Sequence, residues 1–259
     1  MISVSSDVLQ AWINGLLWPL TRVLGVIAIA PVFSNRGLPN QVKIALGILL
    51  TLIIAPTLPP LPAIGILSAQ GLLILAEQLV IGLAIGFCVR IVFAAVDMAG
   101  QVAGMTMGLG FASFYDPQSQ GQTTSLNQFF VLLATLVFLA MNGHLMLISA
   151  IADSFVSFPI AGAPAQHLDA LAIARWGGKI FSAGLLLALP VTTALLITNM
   201  ALGILTRTAP QLNLFGIGFP ITLGMGFLMI AWTLPDMLPP LQRLIDETFT
   251  LLPGLAASS

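Results

Sequence analysis

Few side chains in this 259-residue chain could make or break a bond. Two histidines, His144 and His167, and one cysteine, Cys88, are the residues a zinc site would draw on, and their spacing is that of no zinc site. Tyr115-Asp116 supplies one aspartate of the pair that intramembrane aspartyl proteolysis needs, but no Gly-x-Gly-Asp partner follows, and Asp116 directly before Pro117 suits a turn. There is no phosphate loop and no G-x-S-x-G elbow. His144 as a lone base is less economical than His144 as a cap at the end of a helix or an interhelical hydrogen-bonding group. The reading is no catalysis, no cofactor and no metal.

The remaining chemistry is charge in apolar surroundings. Arg22, Glu77, Arg90, Asp97 and Arg207 sit in or beside long hydrophobic runs. A charge at membrane depth normally faces a partner helix, a cavity or the headgroups. For Arg22 a structural salt bridge or a snorkelling side chain is expected ahead of a transport site. Arg90 and Asp97 are seven residues apart, so on a helix they share a face and a polar seam.

The elements that must hold these residues are helices for a membrane. Charged residues are 7% of the chain, against roughly 25% in soluble domains, and hydrophobic residues are 58%. The mean hydropathy is +1.05. So few charges cannot keep a soluble surface wet, which predicts an all-α, polytopic membrane protein with kinked helices. A net charge of −1 gives no general attraction for nucleic acid. Cys88 has no partner for an internal disulfide and is expected to be buried and inert. Ala28-Ile29-Ala30 mimics a signal-peptidase site, but Pro31 follows it and Arg22 interrupts the apolar run, so no cleavage is expected.

In chain order, residues 8–33 form a first apolar segment with a bend expected at Pro19 and Gly25. Val42–Leu58 is a short second segment, closed by a proline-rich stretch, so the first two read as a hairpin. Ile66–Val96 is too long for a simple crossing, and its Gly82 and Gly86 predict a close helix contact. Asn127–Ala152 reads as one span with Asn142, Gly143 and His144 near its end, followed by a connector from Asp153 to Trp176. Ile180–Thr206 is a span containing Pro190. A kink at Pro210 leads into Gln211–Leu234, and Asp236–Leu252 reads as a separate short terminal helix. With six spans, basic residues divide four (Arg36, Lys43, Arg90, Arg207) against three (Arg175, Lys179, Arg243), so the charge rule assigns no orientation.

The stretch 100–126 stands apart. Its first half is apolar and glycine-rich, and Asp116–Ser125 is polar throughout. Backbone without regular structure survives at membrane depth only where protein or a water-filled cavity surrounds it. Met105, Met107, Phe111, Phe114 and Tyr115 are costly to expose to water. Two readings stay open from the residues alone, a segment lining or blocking a passage and an ordinary surface loop.

Five blocks then point to a family. They are RVLGVIAIAPVFSNRGLPNQVKIAL (Arg22–Leu46), EQLVIGLAIGF (Glu77–Phe87), MGLGFASFYDP (Met107–Pro117), NGHL (Asn142–Leu145) and RTAPQLNLFGIGFP (Arg207–Pro220). In this order they resemble the FliR family of the flagellar type III export gate, over nearly the whole chain. Injectisome relatives share that architecture, and the loop block is closer to the flagellar branch. The resemblance implies a single subunit with a FliP-like part at about 1–179 and a FliQ-like hairpin at about 180–259. It implies assembly with FliP and FliQ around an export conduit, with FlhB and FlhA as neighbours and unfolded flagellar subunits as cargo. It also implies a place in the bacterial inner membrane and flagellar basal body, with part of the assembly lifted to the periplasmic side. The family's plug falls on Met105, Met107, Phe111, Phe114 and Tyr115, with Gly104, Gly108 and Gly110 as the glycines that let it fold and move. The structural polar residues are Arg22, Glu77, Arg90, Asp97, His144 and Arg207. A secondary transporter is the rival reading, favoured by the broken helices and disfavoured by the missing inverted repeat.

Overall fold

The computed structural model describes residues 6–35, 37–59, 61, 64–111, 125–160, 167–209 and 214–257. The fold is all-α. Helix α1 is Ser6–Ile29 and α2 is Asn40–Ile54, which tightens into a 3₁₀ turn at Ala55–Thr57 where Pro56 ends the regular ladder. Helix α3 is Ala69–Thr106, followed by a 3₁₀ turn at Leu109–Phe111. Helix α4 (Ser125–Ala140) and α5 (Gly143–Ser157) come next, then α6 (Ala170–Gly177), α7 (Lys179–Thr208), a π turn at Leu214–Gly218, and α8 (Phe219–Leu251). A two-residue bridge pairs β1 (His167–Leu168) with β2 (Ala256–Ala257).

Local chemistry starts and stops these elements. Ser68 caps α3 by accepting the Gly71 N–H on its hydroxyl at 3.0 Å. Asp169 does the same for α6, its carboxylate accepting the Ala172 N–H at 2.9 Å. The Asp169 N–H donates in turn to the Leu255 carbonyl at 2.9 Å, extending the small bridge.

Three sequence expectations need correction. Helix α3 does not stop near Val96 but runs 38 residues, taking in Gly100 and Gly104. Here the glycines serve as contact points: Gly100 lies against the Asn127 backbone, so an added Cβ would sit 3.0 Å from its Cα. The single span expected over 127–152 is two helices, α4 and α5, meeting at a 68° bend. The break sits where Asn142 adopts φ 58°, a left-handed turn that ends one helix and starts the next. The separate terminal helix expected from Asp236 is the continuation of α8, which passes through Pro235, Pro239 and Pro240.

Among the described residues, four helical stretches are long and apolar enough to cross a membrane, or five if the bent α4–α5 pair counts as one, and the apolar part of α1 is shorter. At 1.5 Å per residue α3 is about 57 Å long, nearly twice the hydrocarbon thickness.

The chain divides into two compact units. The first comprises residues 1–91, 142–177 and 246–259, and the second 92–141 and 178–245. In the first, α1 lies against the early part of α3 around Trp18, Val23, Val26, Ile81 and Ile85, with Leu147, Ile151 and Phe155 of α5 also buried. The Gly82–Gly86 pair makes the expected contact. A Cβ at Gly82 would collide with the Arg22 carbonyl, and one at Gly25 would lie 3.2 Å from the Gly82 Cα. In the second unit the core includes Val96, Phe130, Phe138, Leu187, Val191, Leu195 and Leu241. Phe93 and Phe138 meet edge to face with centroids 5.7 Å apart.

Candidate functional site

Two places carry the polar and gate-like residues, one in each unit. In the first unit the organising group is Arg22. Asn14, Trp18 and Arg22 recur every four residues along α1, on one helical face, and each is at most 1% exposed. The guanidinium donates through Nε to Gln78 Oε1 at 2.9 Å and through a second nitrogen to the same oxygen. Its NH1 donates to the Ser154 carbonyl at 2.7 Å and the Ser154 hydroxyl at 3.1 Å, and its NH2 to the Phe158 carbonyl at 2.7 Å. The Phe155 ring lies 4.0 Å beneath the guanidinium carbon.

This replaces the expected salt bridge or snorkelling arginine. Arg22 is neither paired to a carboxylate nor reaching for headgroups. It is held by neutral acceptors, among them the Ser154 carbonyl, which also accepts the Phe158 N–H at 2.8 Å, and the Phe158 carbonyl just past the end of α5. Glu77 is exposed, and its neighbour Gln78 turns inward instead. Gln78, Ser154 and Phe158 had no signal in the sequence beyond an arginine's need for acceptors. Cys88 is buried as expected, and its carbonyl accepts the Trp176 indole N–H at 3.1 Å. His144 is the second residue of α5, half-buried, and its Nδ1 has no hydrogen-bond partner.

In the second unit the end of α3 carries the expected gate segment. Met105 faces outward, 66% exposed, whereas Met107 is fully buried against Gly226 of α8. Met107 is therefore a packing anchor, a correction to its place among the lumen-facing residues. Gly104 is buried inside the last turns of α3. The chain turns at Gly108, whose φ of 87° a residue with a side chain adopts only under strain. Gly110 and Phe111 belong to the 3₁₀ turn that follows. Phe114 and Tyr115 lie outside the described residues, as does the polar run to residue 124.

The other expected polar residues are dispersed. Arg90 is exposed, and Asp97 is half-buried and accepts from the Gln101 side chain at 2.8 Å. Arg207 is exposed in the last turn of α7, where its charge suits the helix dipole. His167 lies in the two-residue bridge. Among the described residues no group of three or more His, Cys, Asp or Glu is placed to hold a metal.

Residues 13–248 match the profile of bacterial export proteins, family 1. Among similar proteins is the flagellar biosynthetic protein FliR of Pectobacterium carotovorum subsp. carotovorum, 44% identical over 97% of this chain and 96% of its own length. The protein of the same name from Escherichia coli strain K12 is 43% identical with the same coverage. That of Bacillus subtilis strain 168 is 31% identical over 91% of this chain and 92% of its own.

Proposed function

Because the chain belongs to the bacterial export proteins, family 1, we propose that it is a subunit of the flagellar type III export gate. In this reading it joins FliP and FliQ in a hetero-oligomeric conduit for unfolded flagellar proteins, beside FlhB and FlhA, in the bacterial inner membrane. Part of that assembly rises on the periplasmic side. Residues 1–179 serve as the FliP-like part and 180–259 as the FliQ-like hairpin.

The observation that carries the gate reading is the end of α3. A helix anchored by buried Met107 delivers an outward-facing Met105 and then a turn on Gly108 into the apolar run through Phe111, Phe114 and Tyr115. Apolar side chains in a narrow conduit exclude ions, because a hydrated ion must shed solvent to pass. The plug is then Met105, Phe111, Phe114 and Tyr115, with Gly108 as its pivot and Gly110 beside it. No bond is made or broken, so the protein acts as a gate and not as an enzyme.

Copurification tests the assembly. Tagged chain extracted gently from flagellated cells is expected to bring FliP and FliQ with it in fixed ratio. Recovery as a self-sufficient monomer or homo-oligomer would favour a transporter and overturn the reading.

A further inference from the structure

We propose that the outward face of α8 around Asp236 is a receptor for an arginine carried by a helix of another polypeptide. The inference does not depend on the gate reading. Helix α8 buries Ile230, Thr233, Leu241 and Leu244 on one side. The opposite side carries Trp232, which is 75% exposed, with Pro235, Asp236 and Pro239 also exposed.

Proline has no N–H, so within a helix it leaves the carbonyl four residues earlier without its usual donor. Pro235, Pro239 and Pro240 therefore release the carbonyls of Ala231, Pro235 and Asp236. Among the described residues the Asp236 carboxylate has no hydrogen-bond or ion-pair partner either. One outward patch thus concentrates acceptors, a negative charge and an aromatic ring, on a helix long and apolar enough to cross a membrane. Hydrocarbon satisfies none of these groups.

The same chain shows which group does. Arg22 is held by the Phe158 carbonyl left open just past a helix end, by the Ser154 carbonyl and hydroxyl, by the side-chain oxygen of Gln78, and by the Phe155 ring beneath it. An open carbonyl, a side-chain oxygen and a ring recur on α8 with the arginine missing. The planar guanidinium, with five donors, fits that set better than a lysine ammonium. The carboxylate adds the charge complementarity that a cation needs on leaving water.

The test uses the full chain purified from its native membranes with whatever accompanies it. A benzophenone amino acid at exposed Gln242, one turn beyond Pro239, is cross-linked in cells and the joined peptide is sequenced. The expected peptide is a helical segment with an arginine within about one turn of the link. D236N is expected to lower recovery of that partner about tenfold, the scale of one hydrogen bond to a charged group. P239A returns an N–H to the Pro235 carbonyl, so it should weaken the partner while leaving the chain's unfolding temperature equal or higher. Links only to lipid, links to a peptide without arginine, or unchanged recovery in both variants would overturn the proposal. So would a loss of recovery in P239A that follows a loss of stability, because it assigns the prolines to the fold alone.

Discussion

Arg22 shows how a charge is kept inside an apolar chain without a direct ion pair, its hydrogen bonds all going to neutral acceptors. Burying a guanidinium is costly, and the attraction of one carboxylate often fails to repay it. Here the cost is met by acceptors that are themselves in need of donors. R22A would leave Gln78 Oε1 and the Phe158 carbonyl without their donor, an expected loss of about 1–3 kcal/mol for each buried acceptor left unsatisfied. R22K keeps the charge but not the fork, so it should recover only part of that loss. Thermal unfolding in detergent and the yield of membrane-inserted protein measure both. Wild-type stability in R22A would show that the network adds nothing. The sequence marked Arg22 as structural but misidentified its partners, because two of them are backbone carbonyls, which no residue type announces.

At the scale of elements, glycine and proline were the hardest residues to read. Gly100 and Gly104 look like loop residues, and Pro235 falls at an expected helix boundary, yet all three lie within helices. Tertiary packing outweighs local propensity here, since close helix contact rewards the missing Cβ of Gly100. The Gly82–Gly86 spacing was legible because four-residue spacing on an unbroken apolar helix leaves one interpretation. The break at Asn142 was not legible: the span expected over 127–152 ran through it and took in most of α5. Two substitutions separate the roles. G82V places side-chain atoms against the Arg22 backbone and should cost about 1–3 kcal/mol or more, the scale of an overpacked core. G224A meets open space within α8 and should be neutral or stabilise by about 0.5–1 kcal/mol, the helix-propensity gain. Unfolding temperatures for the pair check both signs. Equal stabilities in the two variants would contradict the close α1–α3 contact.

The whole molecule carries helices of unlike lengths, with α3 far longer than a bilayer needs and α8 interrupted by prolines. Wide apolar faces on α7 and α8 stay open, with Phe181, Leu196, Ile204 and Phe227 well exposed. A chain built this way is incomplete without neighbours or lipid around it, which agrees with the charge count that assigned no orientation. Composition and hydropathy made the all-α membrane class legible. The apolar segment beside the end of α3 was readable, whereas the opposite exposure of Met105 and Met107 was not. Only packing against Gly226 decides which methionine turns inward.

We propose that Met105, Phe111, Phe114 and Tyr115 close a conduit by excluding water. Ion leakage through the assembled complex, measured as potassium efflux from membrane vesicles carrying wild-type protein or the F111A/F114A double variant, tests it most directly. The account predicts a marked rise in leakage in the variant with assembly unchanged. Leakage equal to wild type, from a complex assembled normally, would contradict it.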